Sequence, residues 1–123
     1  MRSMPSRWED LSPEEQIVLQ LVTEDACDLW ELLGMRAQLV EGRVVDEAAR
    51  QAEQPAMAAA VQQLARVGLL TVQARTQPQP MPVKTSELAA VLADRDNWAP
   101  GHPNRLEAVA TDVGHDVYDR YHA

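Results

Sequence analysis

The chain predicts a mostly α-helical single domain with a small β-hairpin, and three observations carry that prediction. Apolar residues recur at helical spacing in "LSPEEQIVLQLV", in "DLWELLGMRAQLV" and in "PAMAAAVQQLARVG". The segment "GLLTVQA" sets aliphatic and β-branched residues directly after a helix-ending glycine, as at the start of a strand. Hydrophobic residues make up 46% of the 123 and charged residues 24%, a balance that suits one core without metal or disulfide support. Phe is absent, so Ala, Val and Leu fill the interior beside Trp8, Trp30, Trp98, Tyr118 and Tyr121. Small side chains of this kind favour helices packed closely together.

Residues 1–10 are read as a flexible N-terminus, with Trp8 a packing anchor within it. A helix then starts at Ser12, which caps it; Pro13 suits the first helical position and Glu15 completes a capping box. Ile17, Val18, Leu21 and Val22 mark its core face. The spacing predicts a second helix from about Asp25 to Val40, closed by Gly42, with an apolar band wide enough to need cover on more than one side. "RVVDEAARQAEQPAMAAAVQQLARVGLL" predicts two helices meeting in a tight turn near Glu53 and Gln54. Val45 or Asp46 opens the first, and Pro55 sits in the first turn of the second. Gly68 ends that helix in a left-handed conformation. After the strand, "TQPQPMPVKTS" interrupts the chain, and Thr85 or Ser86 caps a short helix over 86–95. "APGHP" breaks it again, with Trp98 clamping the short helix back on the domain. "NRLEAVA" reads as a strand, and a last helix runs from Thr111 with Val113, Val117, Tyr118 and Tyr121 on its buried face.

From Val45 to Tyr121 the order helix, turn, helix, strand, interruption, strand, helix resembles the winged-helix DNA-binding superfamily. "LARVGLLTV" at 64–72 looks like a recognition helix entering the wing. "ATDVGHDVY" at 110–118 looks like the Thr-x-x-Gly turn that leads from the second wing strand into a C-terminal helix. The resemblance implies a single winged helix-turn-helix over 1–123, with a helix-bearing wing insertion at 76–104 and a C-terminal helix at 111–123. It also implies a DNA-binding transcriptional regulator whose recognition helix is "PAMAAAVQQLARVG".

The charge bears on that function. Net charge is −8, and residues 11–35 carry six acids and no base, whereas residues 36–75 carry five bases and four acids. The stretch holding the helix pair is therefore the one least hostile to a polyanion. Candidate DNA contacts are Arg43, Arg50, Gln54, Gln62, Gln63, Arg66, Arg75 and Lys84. Arginine is absent from the leading half of the recognition helix, where base edges are usually read. Few cations means few phosphates neutralised, so the acidic balance weakens DNA affinity while leaving it open. Joint replacement of Arg43, Arg50 and Arg66 is expected to abolish DNA affinity and leave the fold intact.

The competing reading is a winged-helix protein-interaction module without nucleic-acid binding. A helix face rich in alanine and methionine suits a helix-in-groove or dimer contact. Trp30, Leu33, Val40, Tyr118 and Tyr121 are the candidate interface residues of a homodimer. "HDVYDRYH" sets His115, Asp119 and His122 along one side of a helix, a spacing compatible with a divalent ion. Such terminal polar residues are more often the solvated face of an amphipathic helix, and no metal or cofactor is expected. No phosphate-cradling glycine loop, nucleophile elbow or paired-cysteine motif appears, which argues against an enzyme. Cys27 cannot pair internally and reads as a buried small hydrophobe in a reducing cytoplasm. No run approaches the ~18 apolar residues of a membrane span.

Overall fold

A computed structural model of the chain describes residues 7–74, 79–99 and 106–122. The described residues are mostly helical and carry one small antiparallel sheet of four strands. Helix α1 spans Pro13–Glu24, and its start is the predicted capping box. Glu15 N–H donates to Ser12 Oγ at 3.2 Å, while Ser12 N–H donates to Glu15 Oε1 at 2.8 Å. These bonds satisfy two backbone donors that a helix N-terminus otherwise leaves without partners.

The single helix expected over Asp25–Val40 is three pieces. Strand β1, Cys27–Asp28, is followed by a 3-10 turn over Leu29–Leu32 and then by α2, Met35–Val40. Gly34 has φ +83°, the left-handed region that interrupts a right-handed helix. Long-range pairing also overrides the local periodicity, because Cys27 faces Ala108 across an antiparallel ladder.

Helices α3, Glu47–Ala52, and α4, Gln54–Arg66, meet at Glu53, as the sequence predicts. Asp46 caps α3 by accepting Ala49 N–H at 2.9 Å. The joint is tied to the preceding turn by Gly34 N–H, which donates to Glu53 Oε1 at 3.2 Å. Gly68 closes α4 with φ +82°, and Leu69 N–H reaches back to Leu64 O at 2.9 Å.

Strand β2 is Leu70–Ala74, β3 is the short edge Met81–Pro82, and β4 is Leu106–Ala110. The sheet order is β1-β4-β2-β3, so β4 lies between β1 and β2. Its register sets Leu70 opposite Ala110, Val72 opposite Ala108 and Ala74 opposite Leu106. Gln73 faces Glu107 and donates to its carboxylate at 2.7 Å, which provides a partner for a buried acid.

Between β3 and β4 lies α5, Thr85–Ala93. Neither Thr85 nor Ser86 caps it: Lys84 occupies the cap position and makes no side-chain cap bond. A 3-10 turn over Arg95–Trp98 follows, and Trp98 is fully buried with Nε1–H donating to Leu92 O at 2.9 Å. Trp98 thus clamps α5, as expected.

Helix α6, Asp112–His122, closes the described chain. Thr111 N–H donates to Leu69 O at 3.1 Å, Thr111 Oγ1–H donates to Gly68 O at 2.6 Å, and Gly114 N–H donates to Thr111 Oγ1 at 3.1 Å. These bonds pin the start of α6 on the turn that ends α4. Its buried face is Gly114 and Val117; Val113 is 57% exposed and Tyr121 52%, contrary to the expected pattern. At this end the N-terminal segment is held rather than free. Trp8 opens a 3-10 turn over Trp8–Asp10 and is buried against Tyr118, Tyr121 and His122, with ring centroids 5.5, 5.6 and 5.2 Å away. Of the segment read as flexible, residues 1–6 lie outside the described residues.

The core is one cluster beneath α1, α4 and the sheet, built on Val18, Leu19, Leu29, Leu32, Val61 and Leu64. Among the described residues no helix is long and apolar enough to cross a membrane.

Candidate nucleic-acid interface

Helix α4 determines what the candidate site can offer. Its inner face, Met57, Ala60, Val61 and Leu64, is buried against the core. The methionine counted toward an exposed face is therefore interior, because positions 57, 60, 61 and 64 repeat at the helical period on the core side. Pro55, Ala56, Ala59 and Arg66 are exposed, and Gln62 and Gln63 are half-buried. The outer face carries small apolar groups, two amides and one guanidinium, and no carboxylate belongs to the helix.

The eight candidate DNA contacts separate into groups. Gln54 is buried, and its Nε2 donates to Leu92 O at 3.3 Å, so its amide joins α4 to α5 and does not face outward. Arg50 is half-buried, with its guanidinium 5.9 Å from the centre of the Trp30 ring. Its Nη2 donates to Trp30 O at 3.3 Å, and its buried Nε has no hydrogen-bond partner among the described residues. Arg50 therefore packs the 3-10 turn against α3, and the expectation that it can be replaced without cost to the fold is corrected. Arg43 is exposed but ion-paired with Glu41. Arg75 lies outside the described residues.

Gln62, Gln63, Arg66 and Lys84 remain on accessible surface. Gln62 and Arg66 line a small cavity of about 150 Å³ with Val83 and Thr85, the two chain neighbours of Lys84. The structure thus brings Arg66 and the Lys84 segment to one side of α4, two groups that the sequence places eighteen residues apart.

The candidate interface residues scatter. Leu33 is only 3% exposed and belongs to the core, so it is unavailable to a partner. Trp30 is half-buried under Arg50, and Tyr118 and Tyr121 clasp Trp8 of the same chain. Val40 is open, at 61%, and within the run 39–44 Leu39 and Val44 are also exposed apolar residues, at 47% and 92%, which sequence reasoning missed. Its signal was the β-branched pair at 44–45 in a segment without helical periodicity.

No three His, Cys, Asp or Glu side chains gather as a metal site among the described residues. His122 stacks on Tyr118 at 4.0 Å, with Nδ1 2.9 Å from Tyr118 O, so its ring is used in aromatic packing. Cys27 is half-buried beside Glu31, Asp25, Asp28 and Glu24. Burial first, and these carboxylates second, push its thiol up to about 11. A thiol that stays protonated at neutral pH is a poor nucleophile.

Comparison with models of protein families, with curated proteins and with solved structures returns no match.

Proposed function

We propose that the protein is a winged-helix DNA-binding regulator that presents the outer edge of α4 to a duplex. The carrying observation is the acid-free, exposed edge of α4 ending at Arg66, with the Lys84 segment beside it. Strand order β1-β4-β2, with α4 leading into β2 and α5 inserted before β4, supports the winged-helix reading. Arg66 and Lys84 engage phosphates, and Gln62 and Gln63 face the groove. A single cysteine, which cannot pair within the chain, suits the reducing cytoplasm in which such a regulator works.

Two cations per chain set the magnitude. The slope of log affinity against log salt is about −0.9 per neutralised phosphate, so roughly −2 is expected for one chain and −4 for a pair. The test is fluorescence anisotropy with labelled random-sequence duplexes across a salt series. Arg66→Ala with Lys84→Ala removes the binding, whereas Arg43→Ala leaves it unchanged because Glu41 already neutralises that guanidinium. Absence of binding even at low salt overturns the reading.

One observation favours the protein-interaction module instead. Leu39, Val40 and Val44 expose apolar surface away from α4, and such surface is a recurrent mark of protein contact. The two readings meet in a homodimer that uses this run for assembly and α4 for DNA.

A further inference from the structure

The insertion helix α5 does not seal against α4. A groove of about 470 Å³ separates them, walled on one side by Pro55, Ala58 and Ala59 of α4 and on the other by Ala89, Leu92 and Ala93 of α5. That volume lies in the range of small-molecule sites, roughly 300–1,000 Å³. The walls are short apolar side chains, which leave room for a flat or slender apolar body. The polar lining residues are Gln51, Gln62, Arg95 and the buried Gln54, whose amide is held by Leu92 O.

The charge of the lining is unlike that of the chain. The protein carries net −8, yet no Asp or Glu lines the groove and its one charged lining residue is Arg95. Asp94 and Asp96, which flank Arg95 in the chain, are exposed and are not among the residues that line the groove. An exposed arginine among otherwise uncharged lining residues complements a ligand with an apolar body and one carboxylate.

We infer that the α4–α5 groove is a binding site for a small apolar carboxylate. The body lies between the two alanine-lined walls, the carboxylate meets Arg95, and the Gln62 amide contributes a hydrogen bond. Leu92 joins the site to the interior, since its carbonyl already accepts from Gln54 and from Trp98. Occupation therefore acts on the seating of α5 against α4. A resulting change in DNA affinity rests on the DNA reading, whereas occupation itself does not.

The probe is phenylacetate, with phenylacetamide as its neutral counterpart, followed by ¹H–¹⁵N NMR titration of the protein alone. Phenylacetate is expected to shift the amides of Ala58, Ala59, Ala89 and Ala93, with an affinity in about the millimolar range or tighter. It binds about tenfold better than the amide, and Arg95→Gln erases that preference. Ala59→Trp fills the trough from an exposed position, which keeps the fold, and abolishes the shifts. Absence of shifts in the groove at millimolar phenylacetate overturns the inference. So does equal binding of acid and amide, or a preference that survives Arg95→Gln. Because no nucleic acid is present, a failure here is distinct from a failure of the DNA reading.

Discussion

Replacing Gly114 by Ala sets two local rules against each other. By helix propensity alone, Ala stabilises a helical position by up to about 1 kcal/mol over Gly. At this position a Cβ meets Leu69 O at 2.0 Å and Leu69 C at 3.0 Å, both backbone atoms that cannot rotate away. Ordinary contact requires the start of α6 to back off by roughly 1 Å or more, because overlap repulsion rises steeply at such distances. That displacement stretches the Thr111 N–H bond to Leu69 O, 3.1 Å, and the Thr111 hydroxyl bond to Gly68 O, 2.6 Å. Each such bond is worth about 1 kcal/mol, and overpacking adds about 1–3 kcal/mol. Less the propensity gain, the net loss is about 2–4 kcal/mol, or roughly 8–16 °C in Tm for a domain of this size. Thermal unfolding followed by circular dichroism measures it. A Gly114→Ala protein as stable as the parent, or more so, would refute the claim that α6 is docked through this contact.

Three further outcomes are expected. Native Cys27 reacts at least about tenfold more slowly with Ellman's reagent at pH 8 than the urea-unfolded chain, because the roughly hundredfold loss of thiolate is only partly offset by its higher nucleophilicity. The raised pKa favours the protonated fold, so its contribution to stability is present below the ordinary thiol pKa of 9.0 and is lost as pH rises through about 11. Comparison of denaturation midpoints for the parent and Cys27→Ser across that window isolates it, and equal pH slopes would remove it. For the exposed run, sedimentation equilibrium is expected to show a dimer that Val44→Asp weakens at least about tenfold. A parent that stays monomeric at high protein concentration excludes that interface.

The elements legible in the sequence are those whose cause is local. Ser12 with Glu15, Asp46, Gly68 and the Thr111-x-x-Gly114 turn each act within a few residues, and each is found where its neighbours imply. The Cys27–Asp28 strand was hidden because its partner, Ala108 with Glu107, lies far along the chain, and the surrounding apolar residues imitate a helix. The candidate site divides in the same way. Arg66 could be placed on an open helix face from periodicity alone. The fates of Gln54 and Arg50 depended on where Leu92 and Trp30 arrive, which no spacing within their own helices records. The α4–α5 groove was illegible for the same reason, since its two walls meet only after the insertion folds back.

The place of β4 in the sheet has a consequence for the order in which the molecule assembles. Strands β1 and β2 do not touch one another; each pairs with β4, the last of the four in the chain. As the chain emerges from the ribosome, the helices can collapse early on local contacts and β2 can pair with the short edge β3, but β1 has no partner strand until Leu106–Ala110 appears. Closing it brings Cys27 to Ala108, a loop spanning most of the described chain, and such non-local closure is the slow kind. Until then β1 and β2 each keep an open edge toward solvent, the state in which a nascent chain is most exposed to mispairing with its neighbours.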